Sequence, residues 1–207
     1  MSQAFDISDR ASRRATLSDG AEIRLHALSP QDAPGLQAGL QRLSPQSRYR
    51  RFGRPVERFS AAELHYLTAV DQRRHVAWAA CDPGFPGGLG IGVARFVCLE
   101  ERPDTAEVAL AVVDSHQRRG LGTLFLALLW VEARALGIER FCGQVLADNR
   151  PMLSILEQLG AEVEGGAADC VNLSARLPDS LEAFPRGALG QRAQAAARQI
   201  QRSAALN

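Results

Sequence analysis

The sequence predicts an α+β fold, a mixed and mostly antiparallel sheet of about six to seven strands flanked by helices. Three observations carry this. Residues 106–123 read as a strand, a tight basic glycine turn and a helix start. Residues 74–81, 89–98 and 106–113 are apolar runs of strand length, separated by turn residues or a polar connector, which is the pattern of a meander. Ser29 and Ser60 each stand three residues before an acid, so each opens a helix with a capping box.

The chain is organised around Ala106-Glu-Val-Ala-Leu-Ala-Val-Val-Asp-Ser-His-Gln-Arg-Arg-Gly-Leu-Gly-Thr123. Val108, Leu110 and Val112 share one face of the strand; Glu107, Ala109, Ala111 and Val113 share the other. A run this apolar suits a strand covered on both sides, and Glu107 is the residue out of place. Gly120 and Gly122 allow a sharp turn and a close backbone approach. Helix formers then continue through Leu136. A helix N-terminus with Arg118 and Arg119 beside it is a cradle for a phosphate or pyrophosphate. Two solvated arginines on an ordinary strand-to-helix turn are the alternative.

Gln117-Arg-Arg-Gly-Leu-Gly122 resembles the Q/R-x-x-G-x-G/A signature of the GNAT N-acetyltransferase superfamily, and Glu107 lies ten residues before it, as a glutamate often does in that family. The resemblance implies a GNAT fold that uses acetyl-CoA and no metal. It implies that Gln117, Arg118, Arg119, Gly120, Leu121, Gly122 and Thr123 hold the pyrophosphate of coenzyme A. It implies that the Val112–Val113 strand edge binds the pantetheine amides, and that Asn149 contacts the pantetheine arm. It implies that Glu107 is the catalytic base. The string Leu43-Ser-Pro-Gln-Ser-Arg-Tyr-Arg-Arg-Phe52, followed by Ser60-Ala-Ala-Glu-Leu64 and Asp71-Gln-Arg-Arg-His-Val-Ala77, is similar to the GNAT domain of bacterial Pat-type protein lysine acetyltransferases. One position departs from the superfamily. The place of the usual thiolate-protonating Tyr is Leu156, which leaves Ser154 or solvent as the acid.

Taken in order, residues 1–19 read as a loose leader, 20–177 as the acetyltransferase domain, and 178–207 as a loop and an amphipathic tail helix. Ala21–Leu28 is a first strand containing His26. Helices follow from Ser29 to about Leu43, from Ser44-Pro45 onward, and over 61–69. Arg48, Arg50, Arg51, Arg54 and Arg58 make the second of these the most basic region, a solvated face or a surface for an acidic partner. After the 74–81 strand, residues 82–88 are a turn by composition. Arg140–Ala147 is the next strand, and Asp148–Gly160 is a turn, a helix and a glycine stop, with Asn149 also placed to cap. The last hairpin is 161–177, turning at Gly165-Gly166.

With 207 residues, 46% hydrophobic and 23% charged, the chain has the composition of one globular domain. A net charge of +1 argues against a nucleic-acid surface, and no apolar window reaches the length of a membrane span. Cys81, Cys98, Cys142 and Cys170 lack metal-ligand spacing; three lie in apolar runs and read as buried thiols of a reducing, cytoplasmic protein. All 24 basic residues are Arg, so a lysine-modifying enzyme of this sequence has no lysine side chain of its own to modify.

These readings converge on acetyl transfer from acetyl-CoA to a primary amine. The amine is protonated at neutral pH and must lose a proton before it attacks. Glu107, in an apolar setting that raises its pKa, takes that proton, and a backbone N–H at Val112 or Val113 polarises the thioester. The opposing role for Glu107 is an ion pair with Arg95 on the neighbouring strand. A protein lysine is the first acceptor, from the Pat-like half of the chain. A small-molecule amine is the second. A non-catalytic acyl-CoA-sensing module is the third. Oligomeric state stays open, a homodimer included.

Overall fold

The computed structural model describes residues 12–84, 90–167 and 169–205. Eight strands form one sheet in the order β1-β2-β3-β4-β5-β6-β8-β7. They are β1 (Ser12–Thr16), β2 (Glu22–Ala27), β3 (His75–Cys81), β4 (Gly90–Cys98), β5 (Thr105–Val112), β6 (Arg140–Leu146), β7 (Glu162–Ala167) and β8 (Cys170–Arg176). The helices are α1 (Ala33–Gln41), α2 (Pro45–Phe52), α3 (Ala61–Thr68), α4 (Leu121–Ala135), α5 (Arg150–Gln158) and α6 (Ala188–Ala204). The α+β class and the mixed sheet are as expected; the strand count is one or two higher.

The extra strand is β1. Ser12–Thr16 pairs antiparallel with Glu22–His26, inside the stretch expected to be a loose leader. Its sequence carries almost no apolar signal because it is an edge strand whose one large inward group is Arg13. That guanidinium lies 4.7 Å over the Trp78 ring and pairs with Glu132 of α4, so a charged side chain covers apolar surface. Residues 1–11 of that expected leader lie outside the described residues.

The capping signals hold. Ser29 and Ser60 both make reciprocal boxes, the first opening a short 3-10 turn that continues into α1. Pro45 starts α2 behind a Ser44 cap, and Gly53 ends it in the left-handed region. The last hairpin departs from expectation. Gly165 and Gly166 sit inside β7, and the chain turns after Ala167. A Cβ on Gly166 would collide with the Cys170 carbonyl oxygen, so this glycine serves close strand approach.

Two layers of helix cover the sheet. Phe96 of β4 and Val108 and Leu110 of β5 pack with Phe125, Leu128 and Leu129 of α4, and Ala197 and Ile200 of α6 join the same core. On the other face Ala77, Ala79 and Val93 pack with Leu36 of α1. The tail helix thus packs beside α4 and against edge strand β1. No helix among the described residues is long and apolar enough to cross a membrane.

One joint in the sheet differs from the rest. Every neighbouring pair is antiparallel except β5 and β6, which run parallel. They pair only where Thr105–Glu107 meets Arg140–Cys142, although both strands continue beyond. Past Glu107 the two strands part, and a cleft opens between them.

Candidate active site

The cleft has a volume of about 320 Å³ and passes between β5 and β6. Glu107 through Leu110 line one side, and Cys142 through Leu146 the other. Leu126, Ala127 and Trp130 of α4, Arg50, Arg51 and Phe52 of α2, and Met152 and Leu156 of α5 complete its lining. Gly143 lets the strands separate gradually, since a Cβ there would stand 3.3 Å from the Val108 carbonyl.

Glu107 sits in one row across the sheet with His75, Val97, Cys142 and Ser174. The enclosed apolar setting expected for it is absent. Its strand loses its neighbour at this point, and Glu107 is exposed to the cleft. The Arg95 ion pair is absent too. Arg95 stands opposite Ala109, and its Nη1 donates to Leu67 O at 3.2 Å and to His75 Nε2 at 3.1 Å. His75 is therefore an acceptor at Nε2, engaged away from the cleft. Burial and the adjoining Arg95 charge push its pKa down to about 4, against a smaller opposite pull from Asp71. Burial likewise lowers Arg95 to about 10 and depresses Arg51, whose charge Glu107 in turn supports.

The backbone of β5 divides its hydrogen bonds. Val113 N–H donates to Ile91 O at 3.0 Å, toward β4. By strand alternation Val112 presents its N–H and C=O to the cleft side. The Val113 N–H is thus already bonded, and the Val112 carbonyl accepts from Gln117 Nε2 at 3.1 Å.

The turn after β5 is built for backbone exposure. Arg118 and Gly120 both have positive φ, 60° and 88°, and Gly120 is the N-cap of α4 without a side-chain hydrogen bond. Leu121, Gly122 and Thr123 therefore begin the helix with N–H groups that have no intrahelical acceptor. Arg119 pairs with Asp19, and Ser18 N donates to Arg119 O at 3.1 Å, which docks the turn on the 17–20 loop. Asp114 accepts from Ser44 N, Ser44 Oγ and Ser47 Oγ at 2.9, 2.7 and 3.0 Å, tying α2 to the same turn.

Of the residues singled out from sequence, Glu107 and Asn149 line the cleft; the 117–123 turn lies at the end of the same strand, outside the lining. Asn149 makes no side-chain cap on α5. Leu156 lines the cleft, whereas Ser154 is exposed and accepts from Gln158 Nε2 at 3.0 Å. Arg50 and Arg51 line the cleft, so that part of the basic run is more than a solvated face.

One cluster escaped the sequence reading. Cys81 Sγ lies 3.9 Å from His26 Nδ1, and His26 Nε2 lies 3.2 Å from Asp32 Oδ1. The order is that of a nucleophile, base and orienting acid. Burial, aided by Asp32, pushes the Cys81 thiol up to about 11, so it stays protonated and inert. Cys81 alone of the four thiols is buried; Cys98, Cys142 and Cys170 are half-buried. The signal was unreadable because β2 and β3 had to be paired first.

Residues 22–162 match the family described as Acetyltransferase (GNAT) domain. Acetyltransferase Pat of Mycolicibacterium smegmatis is 37% identical over 144 residues, 69% of this chain and 42% of that protein. The chain thus spans less than half the length of that relative. The GNAT domain of S. lividans PAT superposes with a TM-score of 0.73 at 30% identity, over 80% of this chain and 97% of that one. A cAMP-binding acyltransferase from Mycobacterium smegmatis superposes with a TM-score of 0.58 at 28% identity, over 94% of this chain and 56% of that one. The parted β5–β6 pair, the glycine turn onto α4 and these matches together place the chain in the GNAT acetyltransferase family.

Proposed function

We propose that this chain transfers the acetyl group of acetyl-CoA to a primary amine, with a protein lysine as the acceptor. The observation that carries the reading is the position of Glu107. It stands where β5 loses its partner, in a cleft whose strand leads directly into the α4 N-terminus.

The parts fit coenzyme A. The N–H groups of Leu121, Gly122 and Thr123, with the exposed Arg118, suit its pyrophosphate. The cleft-side backbone of Val112 suits a pantetheine amide, which adds to the strand edge as a further strand would. Asn149 lies across the cleft to meet the same arm.

Glu107 takes a proton from the ammonium of the acceptor, directly or through water. The free amine attacks the thioester carbonyl, a C–N bond forms and the C–S bond breaks. With Leu156 at the cleft, the leaving thiolate takes its proton from solvent. The resemblance of residues 43–77 to Pat-type protein lysine acetyltransferases supports a lysine acceptor.

The test is thiol release from acetyl-CoA with a cell extract split by ultrafiltration, Glu107→Gln serving as control. Release with the protein fraction alone supports the protein acceptor. Release with the filtrate alone replaces it with a small-molecule amine. Acetyl-CoA binding without release in either fraction makes the chain an acyl-CoA sensor.

A further inference from the structure

A second pocket, of about 80 Å³, lies between α1, α2 and the β3–β5 face of the sheet. Its lining is mostly apolar, with Asp32, Arg51 and Arg95 at its edges, and its walls are cut back to small residues: Gly35 and Gly39 on α1, and Ala79, Ala109 and Ala111 on the sheet. Glycine is the poorest helix former after proline, yet α1 carries two, both on this wall. A Cβ on Gly39 would meet nothing within 4 Å, so the space is not taken up by a close neighbour. Unfilled apolar space destabilises a fold, and two helix glycines add to that cost.

The pocket lies next to the cleft. Arg51, Phe52 and Ala109 line both. Ala109 follows Glu107 on the same face of β5, so the mouth of the pocket is one side-chain repeat from the carboxylate. An alkyl chain on the reacting carbonyl would reach the pocket here by passing between Phe52 and Ala109, beside the Arg51 side chain. A cavity of about 150 Å³ admits the six carbons of benzene. On that scale this one takes about three carbons beyond an acetyl group.

We infer that the pocket binds the tail of the transferred acyl group, and that straight-chain acyl-CoA thioesters of about four to five carbons are donors for this protein. The inference rests on the acyltransferase reading above. The step is unchanged: the C–S bond breaks, the C–N bond forms, Glu107 holds the amine proton, and the thiolate is protonated by solvent.

The test is calorimetric binding of acetyl-, propionyl-, butyryl-, pentanoyl- and octanoyl-CoA to the full chain, without acceptor. Affinity should rise about fourfold for each added methylene up to pentanoyl and then stop rising. Gly39→Leu should keep the acetyl-CoA affinity and flatten the series. A flat series in the unaltered protein overturns the inference, and the alkyl pocket then belongs to the acceptor. An equal rise in Gly39→Leu also overturns it, because the tail then lies elsewhere. If Gly39→Leu lowers the melting temperature sharply, Gly39→Ala and the unaltered series decide between the same outcomes. No binding of acetyl-CoA at all removes the acyltransferase reading itself, an outcome distinct from a flat series.

Discussion

The side-chain amide of Gln117 donates to the main-chain carbonyl of Val112 at 3.1 Å, closing the turn back onto its own strand. The same nitrogen reaches Ser47 Oγ at 3.2 Å. In the proposed complex a pantetheine amide competes for that carbonyl. A neutral hydrogen bond is worth about 0.5–1.5 kcal/mol net. Gln117→Ala should therefore tighten acetyl-CoA binding about two- to tenfold, read by calorimetry. Weaker binding would show that the side chain holds the turn in shape rather than standing in the ligand's place.

Glu107→Gln keeps the size of the side chain and removes its capacity to take a proton. Turnover on the accepted amine should fall about 10²–10⁴-fold, while acetyl-CoA affinity stays nearly constant. Steady-state rates and equilibrium binding on one preparation separate the two. Unchanged turnover from pH 6 to 9 would remove Glu107 from the role of base.

Gly92 lies where β4 crosses α4. A Cβ there would stand 2.8 Å from Phe125 Cε2 and 2.9 Å from the Ala111 carbonyl oxygen. Overpacking of this kind costs about 1–3 kcal/mol. Gly92→Ala should lower the urea midpoint accordingly, and a neutral result would mean that β4 moves aside without strain.

His75 makes stability depend on pH. Its pKa is about 4 when folded, against an ordinary value of 6.5. The unfolded chain therefore binds a proton that the folded chain refuses between those values. Stability is full above about pH 6.5 and declines as pH falls toward 4. His75→Gln should shrink this decline in urea titrations at pH 7 and pH 4.5. An identical decline would assign it to other groups.

The sequence was most readable where local chemistry decides structure. Ser29, Ser44 and Ser60 announced their helices because capping is settled within four residues. Glu107 announced itself as the one acid in an apolar strand, and the family signature placed the turn after it. What stayed hidden depends on pairing at a distance. Strand β1 is polar because Trp78 and Glu132 complete it. The exposure of Glu107 follows from the parting of β5 and β6, which no property of Thr105–Val112 alone contains. The engagement of His75 by Arg95 likewise needed the β3–β4 register.

The hydrogen bond from Arg14 N to Ser203 Oγ joins residues 189 apart in sequence, where α6 lies against β1. During synthesis, β1 emerges early and waits for α6. Until residues 188–204 leave the ribosome, the strand lacks its covering helix, and Ala197 and Ile200 have yet to close the core they join. Contacts this distant are slow to form because the loop must close before they reward it. Docking of α6 is therefore expected as a late folding event, and a nascent chain stalled before residue 188 should expose to chaperones the apolar flank of α4 and β1 that α6 covers.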